Sequence, residues 1–486
     1  MEIPLGFGFY VSESLPISHQ ECVNWVPVIQ TQPALSQRTL MGSPGIELLT
    51  SSGSESTDAN RGAHVLSGVP YFINGNTLYR LDRAIISGEE VFSLTDLTSS
   101  SGSPINIDGN TRVSIADNGT QMMILPPGGT GYIYTELGGL VEITDPDFVA
   151  NGNPQYVQFI DGYFACSTDT KKWIISNLNN GLSWDALDFG TAETDPDPVV
   201  APLVYNNQMF VTGSETTEGF QNIGGAGFPF QRSNVFLDKG CYAPFTLIAS
   251  NQRFFMIGGG KNELSGIWEF SSGAFTKVST IPIDAVLAEY TRTTIAAAYA
   301  LSWSAGGQSF VAFSLVDRTF VYNITTSLWH ELKSSIPDTN NDLIQSRWRV
   351  SSIITAYGYA LVGDNEDGRI GKLTLEEYKE YDNEIIRTFS TPPIYNEGRS
   401  FRLPAIELTM ESGVGNGVEI PKVSLAISRD SKTFSYERNR FVGKIGEFTH
   451  RIIWRKNGRI KKFCFLKFRL SDAVKPVAIK LEAEIV

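Results

Sequence analysis

Oxygen-rich loops, cysteines and histidines are the first places where this sequence could support metal chemistry. Asp364 and Glu366 fit the first and third positions of a calcium loop, but Gly368 stands where the third ligand belongs, so we interpret this loop as a solvated hairpin turn. The cysteines and histidines lie far apart and form no CxxC pair: Cys22, Cys166, Cys241, Cys464, His19, His64, His330 and His450. We therefore expect free thiols in a reducing cytoplasm, no metal and no cofactor.

Two further segments could carry enzyme chemistry. Arg402 belongs to FRLP (401–404), which is similar to the FRIP motif whose arginine grips a substrate carboxylate in sialidases. In sialidases that motif opens the propeller, whereas here it follows the repeats, so an ordinary strand entry before proline is the better interpretation. The glycines of 258–266 lack the Lys-Ser/Thr of a phosphate-binding loop. We predict no catalytic residues and no enzyme.

The strongest local signal is a basic segment near the C-terminus, where cations alternate with aromatic side chains. Around Gly458 the sequence predicts a hairpin, and alternation along its strands would place the cations on one face. We predict docking to an acidic protein surface or to DNA; the alternative is a solvated sheet face. The predicted docking residues are Arg451, Trp454, Arg455, Lys456, Arg459, Lys461, Lys462 and Lys467.

The elements that would position these residues form a repeat. Each unit pairs an apolar strand with a second strand rich in Tyr, Trp, Ile and Leu, across a Gly/Asn/Asp turn. The apolar crests recur every 41 to 56 residues, at Phe72, Met123, Phe164, Phe210, Phe255, Val311 and Ala360. This spacing is typical of a β-propeller, whose radially stacked sheets cover one another. Six and seven blades are both possible.

One blade turn resembles the Asp-box hairpin of sialidase-type propellers. NLNNGLSW (177–184) carries Asn177, Asn179, Gly181 and Trp184 at the spacing of that turn. We expect Gly181 to take a positive φ and Trp184 to fill the space between blades. The box is a structural device and indicates no catalysis.

The segments that flank the propeller differ in composition and charge. We predict an extended N-terminal arm over 1–55, a propeller over 56–385 and a basic β-sandwich over 386–486, with helices at 283–291 and 375–385. Of the formal net charge of −13, residues 385–486 contribute +9 and residues 1–384 contribute −22. One end of the molecule should therefore attract anions while the rest repels them.

Several segments, in order along the chain, resemble the packaged-DNA stabilisation or tail-nozzle (tail-hub) family of short-tailed phages. They are VNWVPV (23–28), GSPGIE (42–47), NRGAH (60–64), DKGCYAPF (238–245) and IIWRKNGRIKKFCFLKFRL (452–470). The motif residues that the resemblance marks as structural are Trp25, Pro27, Pro44, Gly45, Arg61, Gly62, Lys239, Gly240, Pro244 and Gly458.

The resemblance implies a structural virion protein in the phage tail, assembled in the host cytoplasm without membrane insertion. It implies a homo-hexameric ring below the portal and its adaptor, which extends the DNA channel and retains packaged DNA until ejection. Tailspike or fibre proteins and a needle or plug are the implied partners, and DNA would pass without sequence specificity. The alternatives are a carbohydrate-active propeller enzyme of sialidase or depolymerase type, and a free-standing scaffold that binds a peptide.

Overall fold

Seven radially arranged antiparallel sheets make up most of the described chain. The computed structural model describes residues 2–98, 105–192, 197–225, 227–337, 343–415, 417 and 420–486. Blades I to III consist of Asn60–Leu66, Val69–Asn74, Thr77–Ile86 and Glu89–Asp96; Ser114–Asp117, Gln121–Leu125, Tyr132–Thr135 and Gly139–Glu142; and Pro154–Ile160, Tyr163–Thr168, Lys172–Asn177 and Asn180–Thr191.

The remaining four blades follow the same order, from the inner strand to the outer one. Blades IV and V consist of Val199–Tyr205, Gln208–Gly213, Thr217–Asn222 and Phe230–Leu237; and Gly240–Cys241 with Ile248–Ser250, Arg253–Gly259, Gly266–Ser271 and Ala274–Lys277. Blade VI consists of Tyr299–Ala305, Gln308–Ser314, Thr319–Asn323 and Leu328–Pro337, and the last of these strands also pairs with Leu343–Arg347. Blade VII consists of Val350–Ala356, Tyr359–Asp364, Arg369–Thr374 and Gly45–Ser51.

The ring is closed by a strand from the N-terminus. Gly45–Ser51 forms the outer strand of blade VII, with Ile46 opposite Leu373 and Thr50 opposite Ile370. A separate apolar cluster fills each space between neighbouring blades, including the space between blades VII and I, where Phe72 packs with Leu361. The described residues therefore form seven blades, which decides between the two predicted counts.

Each predicted apolar crest lies in the second strand of its blade, from Phe72 in blade I to Ala360 in blade VII. That strand is covered by neighbouring blades on both faces, so it is apolar at nearly every position. The inner and outer strands are more polar, which explains why the apolar repeat in the sequence identified mainly the second strand of each blade.

Two further sheets pack face to face as a sandwich. The first holds Ile452–Arg455, Ala405–Met410, Val477–Ala483, Arg38–Gly42, Trp25–Ile29 and Glu2–Ile3. The second holds Cys22–Val23, Arg387–Ser390, Phe463–Leu470, Lys422–Ser428, Arg438–Phe441 and Ile394–Tyr395. Short pairs join Tyr10–Val11 to His19–Gln20 and Phe401–Arg402 to Arg459–Ile460. The predicted fold class, a propeller with a C-terminal sandwich, is confirmed.

The N-terminal segment joins the two parts. Val23 lies parallel to Glu331 of blade VI and antiparallel to Thr388 of the sandwich, so one sheet runs from blade VI into the sandwich. Trp25 packs edge-on against Phe389, with ring centroids 5.8 Å apart, in the sandwich core. Residues 2–51 thus supply strands to both parts and are shared between them.

Helices are few. The α-helices are Ile281–Ala288 and Arg292–Ala296, and the 3-10 helices are Ser56–Asp58, Pro146–Phe148 and Pro244–Thr246. The first α-helix overlaps the predicted one, but the helix predicted over 375–385 is wrong. That segment forms Lys379–Glu380 and Asn383–Glu384 instead, because Glu380 pairs with Ile46 and Tyr381 is buried against blade VII. In the part of the chain that is described, no helix is long and apolar enough to cross a bilayer.

Candidate functional site

The basic segment does not fold as the predicted hairpin. Ile452–Arg455 pairs with Ala405–Met410 in one sheet, whereas Phe463–Leu470 pairs with three strands of the other sheet. Trp454 and Phe468 are both fully buried and meet across the sandwich core, with ring centroids 5.6 Å apart. Because each strand must present its aromatic side chain to the same core from opposite sides, the segment crosses between sheets.

The turn at Lys456–Gly458 is held against the link between the strands Phe401–Arg402 and Ala405–Met410. Lys456 has a φ of 59° and Gly458 a φ of 83°. The Lys456 and Asn457 amides donate to the Pro404 and Leu403 carbonyls at 2.9 and 3.1 Å. A non-glycine residue at positive φ is costly, so these contacts hold a conformation that the chain would otherwise avoid.

Three arginines that were not predicted from the sequence bind backbone carbonyl groups of this turn and of the strand before it. Arg429 Nη2 donates to the Asn457 carbonyl at 2.9 Å, and Arg440 Nε donates to the Ile453 carbonyl at 2.9 Å. Arg438 Nη1 donates to the Arg455 carbonyl at 3.3 Å. Arg438 and Arg440 stand two residues apart on an edge strand, and that alternation is the signal that could have found them.

Positive charge is concentrated around this turn without matching carboxylates. Burial lowers the pKa of Arg438, and the nearby Arg440 and Arg429 guanidinium groups lower it further. None of these three arginines forms an ion pair within the described ranges. We define the basic face as this cluster and the adjoining cations: Arg429, Arg438, Arg440, Arg455, Lys456, Arg459, Lys461 and Lys462.

Three of the predicted docking residues form contacts with other residues of the same chain. Arg451 makes a two-pronged ion pair with Glu407 at 2.7 and 2.6 Å, which lowers the pKa of that carboxyl group. Lys467 Nζ lies 2.8 Å from a Glu21 carboxylate oxygen and 4.3 Å from the Phe434 ring centroid. Trp454 is 0% exposed, with its indole nitrogen donating to the Arg438 carbonyl at 2.6 Å. The docking role predicted for Trp454 is therefore wrong, because a partner cannot reach it.

The other predicted cations point outward. Arg459 donates to Ser400 Oγ at 2.7 Å. Arg455, Lys456, Lys461 and Lys462 are exposed, and their side chains form no ion pair within the described part of the chain. These four charges are the ones available to an acidic partner.

The Asp-box-like turn lies between the third and fourth strands of blade III. Asn177 Nδ2 donates to Ser183 Oγ at 2.8 Å, and Trp184 packs between blades II and III with its ring centroid 4.8 Å from that of Phe148. The residue at positive φ is Asn179, at 55°, so the prediction for Gly181 is wrong. A Cβ at 181 would lie 2.5 Å from Ile133 Cδ1 and 3.1 Å from Phe164 Cε2, so a larger residue there would displace side chains between the blades.

The residues that the sequence resemblance marks as structural occupy packing and turn positions. Arg61 is 5% exposed, and its guanidinium donates to the carbonyls of Thr111, Gly75, Ile107 and Asp108 at 2.7 to 3.0 Å. This side chain ties the first strand of blade I to the segment that leads into blade II.

The other motif positions are spread over strands, a 3-10 helix and turns. A Cβ on Gly240 would lie 2.2 Å from the Glu215 backbone nitrogen, so only glycine fits there. Lys239 Nζ contacts carboxylates of Asp238 and Glu263 at 3.0 and 3.1 Å. The rest lie in the sandwich sheet, at the start of the closing strand, in blade I, in a 3-10 helix and in the basic turn: Trp25, Pro27, Pro44, Gly45, Gly62, Pro244 and Gly458.

The segments considered for enzyme or metal chemistry are occupied by structural contacts. Asp364 is 1% exposed and accepts from Arg349 Nε at 2.6 Å, while Asp367 pairs with Arg369 at 2.7 Å. Arg402 lies in the sandwich, opposite Arg459 in a two-stranded pair. Among the described residues, no group of three or more His, Cys, Asp or Glu side chains is placed to hold a metal ion.

Comparisons with solved structures return distant matches. The WD40 β-propeller domain of Doa1 aligns at 11% identity and a TM-score of 0.40, over 68% of this chain and 97% of that one. The computationally designed Ika8 protein aligns at 13% identity and a TM-score of 0.38, over 68% of this chain and 100% of that one. No curated protein matches the chain.

Two family models match almost the whole sequence. The model described as bacteriophage P22 Gp10, beta-propeller, matches residues 1–378, and the one described as bacteriophage P22 Gp10, beta-sandwich, matches residues 386–486. The two matches follow the same order as the seven-bladed ring and the sandwich. The chain therefore belongs to the bacteriophage P22 Gp10 family of structural phage-tail proteins.

Proposed function

We propose that this chain is the repeating subunit of a tail nozzle, a homo-hexameric ring that continues the DNA channel below the portal and its adaptor ring. The ring retains packaged DNA, allows its ejection and anchors tailspike or fibre proteins and a needle or plug. It is part of the virion tail after assembly in the host cytoplasm. The observation that carries the proposal is the match of both family models, one to each part of the chain.

The distribution of charge suits a channel protein. Residues 1–384 carry a net charge of −22, and a surface of that sign repels DNA phosphates. Tight DNA binding requires lysine and arginine side chains that displace counterions from the phosphates. Over residues 1–384, aspartate and glutamate outnumber lysine and arginine. DNA can consequently move past the propeller without sequence specificity and without sticking.

The basic face supports docking between proteins. Its exposed cations have no carboxylate partner within the described chain, while neighbouring Arg451 and Lys467 do. Bringing such a surface against acidic side chains fixes orientation and speeds association more than it adds affinity. We assign the basic face to contact with a neighbouring subunit or with the adaptor ring.

We also propose a three-part division of the chain. Residues 1–55 act as a clamp, 56–385 as the propeller body and 386–486 as the docking sandwich. Support comes from Val23, which pairs with a strand of each larger part, and from Gly45–Ser51, which closes the ring.

Assembly with a purified portal–adaptor complex tests the docking role. The test variant R455E/K461E/K462E reverses three exposed charges and leaves Arg459 intact, because that side chain bonds Ser400. The matched control K171E/K261E/K444E changes the net charge equally at exposed positions outside the basic face. Sedimentation should show the control joining the complex and the test variant remaining free.

Normal assembly and DNA retention by the test variant would contradict the docking role. Salt-sensitive binding of the wild-type chain to duplex DNA, lost in the test variant, would instead assign the face to DNA. The proposal gives the chain no catalytic reaction, so turnover in a glycan-cleavage screen would contradict that part.

A further inference from the structure

A second cluster of arginines lies at the centre of the propeller, far in sequence from the basic face. In a propeller the inner strands run in the same direction around the axis, so their first residues gather at one mouth of the central tunnel. Arg112 precedes the inner strand of blade II and Arg347 precedes that of blade VII. Tyr299 begins the inner strand of blade VI, and Phe245 precedes that of blade V.

Aromatic rings surround the Arg112 guanidinium. Its Cζ lies 4.1 Å from the Tyr299 ring centroid and 5.7 Å from the Phe245 centroid. Tyr156, from the inner strand of blade III, packs against Phe245 with centroids 5.5 Å apart. Arg347 approaches the same Tyr299 ring, at 5.9 Å. Five side chains associated with four blades therefore meet at one mouth.

The two arginines make few hydrogen bonds and no ion pair within the described part of the chain. Arg112 Nη1 donates to the Ser351 carbonyl at 2.7 Å, but its buried Nε has no hydrogen-bond partner in the described part of the chain. Arg347 Nη1 makes one long bond, 3.3 Å, to the Leu315 carbonyl. Neither side chain has a carboxylate partner among the described residues, and their charges repel each other. Burying positive charge without a counterion is unfavourable.

We propose that this mouth is a binding site for an oxyanion group, a carboxylate or a phosphate, carried by a small ligand with an apolar face. The two guanidinium groups bind the oxygens, since paired arginines match the geometry of carboxylates and phosphates. The partly exposed rings of Tyr156 and Phe245 contact the apolar face. Burial raises the pKa of Tyr156 to about 12, so its phenol stays protonated and can donate to the anion.

Calorimetric titration of the full-length protein tests the site with three probes. Sodium glucuronate presents a carboxylate on a sugar ring, inorganic phosphate presents the oxyanion alone, and glucose presents the ring without charge. We expect glucuronate or phosphate to bind and glucose not to bind. Stronger binding of glucuronate assigns the site to carboxylates, and stronger binding of phosphate assigns it to phosphates.

Variants separate the site from general charge effects. R112Q/R347Q should weaken the binding at least tenfold, and R347Q alone should weaken it with the fold kept, because Arg347 makes only one backbone bond. The matched control is R83Q, an exposed arginine 5.2 Å from the Tyr357 ring and outside the tunnel. The proposal is overturned if neither anion binds, if binding survives R347Q in a protein that melts normally, or if R83Q loses it equally.

Discussion

Glu380 makes the stability of this protein depend on pH near neutrality. It is 4% exposed and lies where blade VII meets the segment leading to the sandwich, opposite Ile46 of the closing strand. Burial raises the pKa of Glu380 to about 7, although hydrogen bonds from Ser334 and Trp348 and the charge of Arg349 act in the opposite direction. The folded protein therefore holds a proton that the unfolded chain has released.

The sign of the effect follows from that difference in proton binding. Between the ordinary glutamate pKa of 4.5 and the folded value of about 7, the folded state binds more protons than the unfolded state. The free energy of unfolding consequently falls as pH rises through this window and levels off above it. The difference between the two pKa values corresponds to about 3 kcal/mol lost from Glu380 alone.

Replacing Glu380 with glutamine removes the titrating group and keeps its size. The free energy of unfolding, measured with urea from pH 4.5 to 8.5, should fall by about 3 kcal/mol more for the wild type than for E380Q. The matched control is E384Q, which changes an exposed glutamate four residues away and should keep the wild-type slope. Equal slopes for the wild type and E380Q would refute the reasoning.

Three further results are expected. W184A should lower the free energy of unfolding by about 3–5 kcal/mol in urea, because it empties the space between blades II and III beside Phe148; a loss below about 1 kcal/mol would contradict this packing role. All four cysteines are buried, which raises each thiol pKa, so a thiol reagent should modify them only after denaturation; rapid modification of the native protein would contradict that burial. Deleting residues 2–29 removes three strands from the sandwich sheets but leaves Gly45–Ser51, so limited proteolysis should digest the sandwich first; equal resistance of both parts would argue against the shared arm.

The propeller was predictable because its signal is local. The second strand of each blade is buried on both faces, which leaves a regular apolar crest from Phe72 to Ala360 in the sequence. The N-terminal strands gave no such signal, since Trp25 and Ile46 become core residues only against partners more than 300 positions away. Local pattern alone cannot specify pairings of that kind.

The basic face was found only in part, for a related reason. Alternating cations and the Lys456–Gly458 turn are equally compatible with a hairpin and with a crossing between two sheets. Which of the two structures forms depends on the packing of Trp454 against Phe468 in one core, and the local sequence pattern does not encode that tertiary contact. The tunnel cluster was missed because Arg112, Tyr299 and Arg347 lie far apart in the sequence and form no motif along the chain.

The shared N-terminal segment also constrains how the chain can be made. Glu2 pairs with Glu482, so the strand Glu2–Ile3 cannot complete its sheet until Val477–Ala483 has been synthesised. Contacts with such large sequence separation slow folding. The blades can form as they are synthesised, but the sandwich cannot be completed until Val477–Ala483 is available. Until then the apolar faces of its earlier strands are exposed to aggregation.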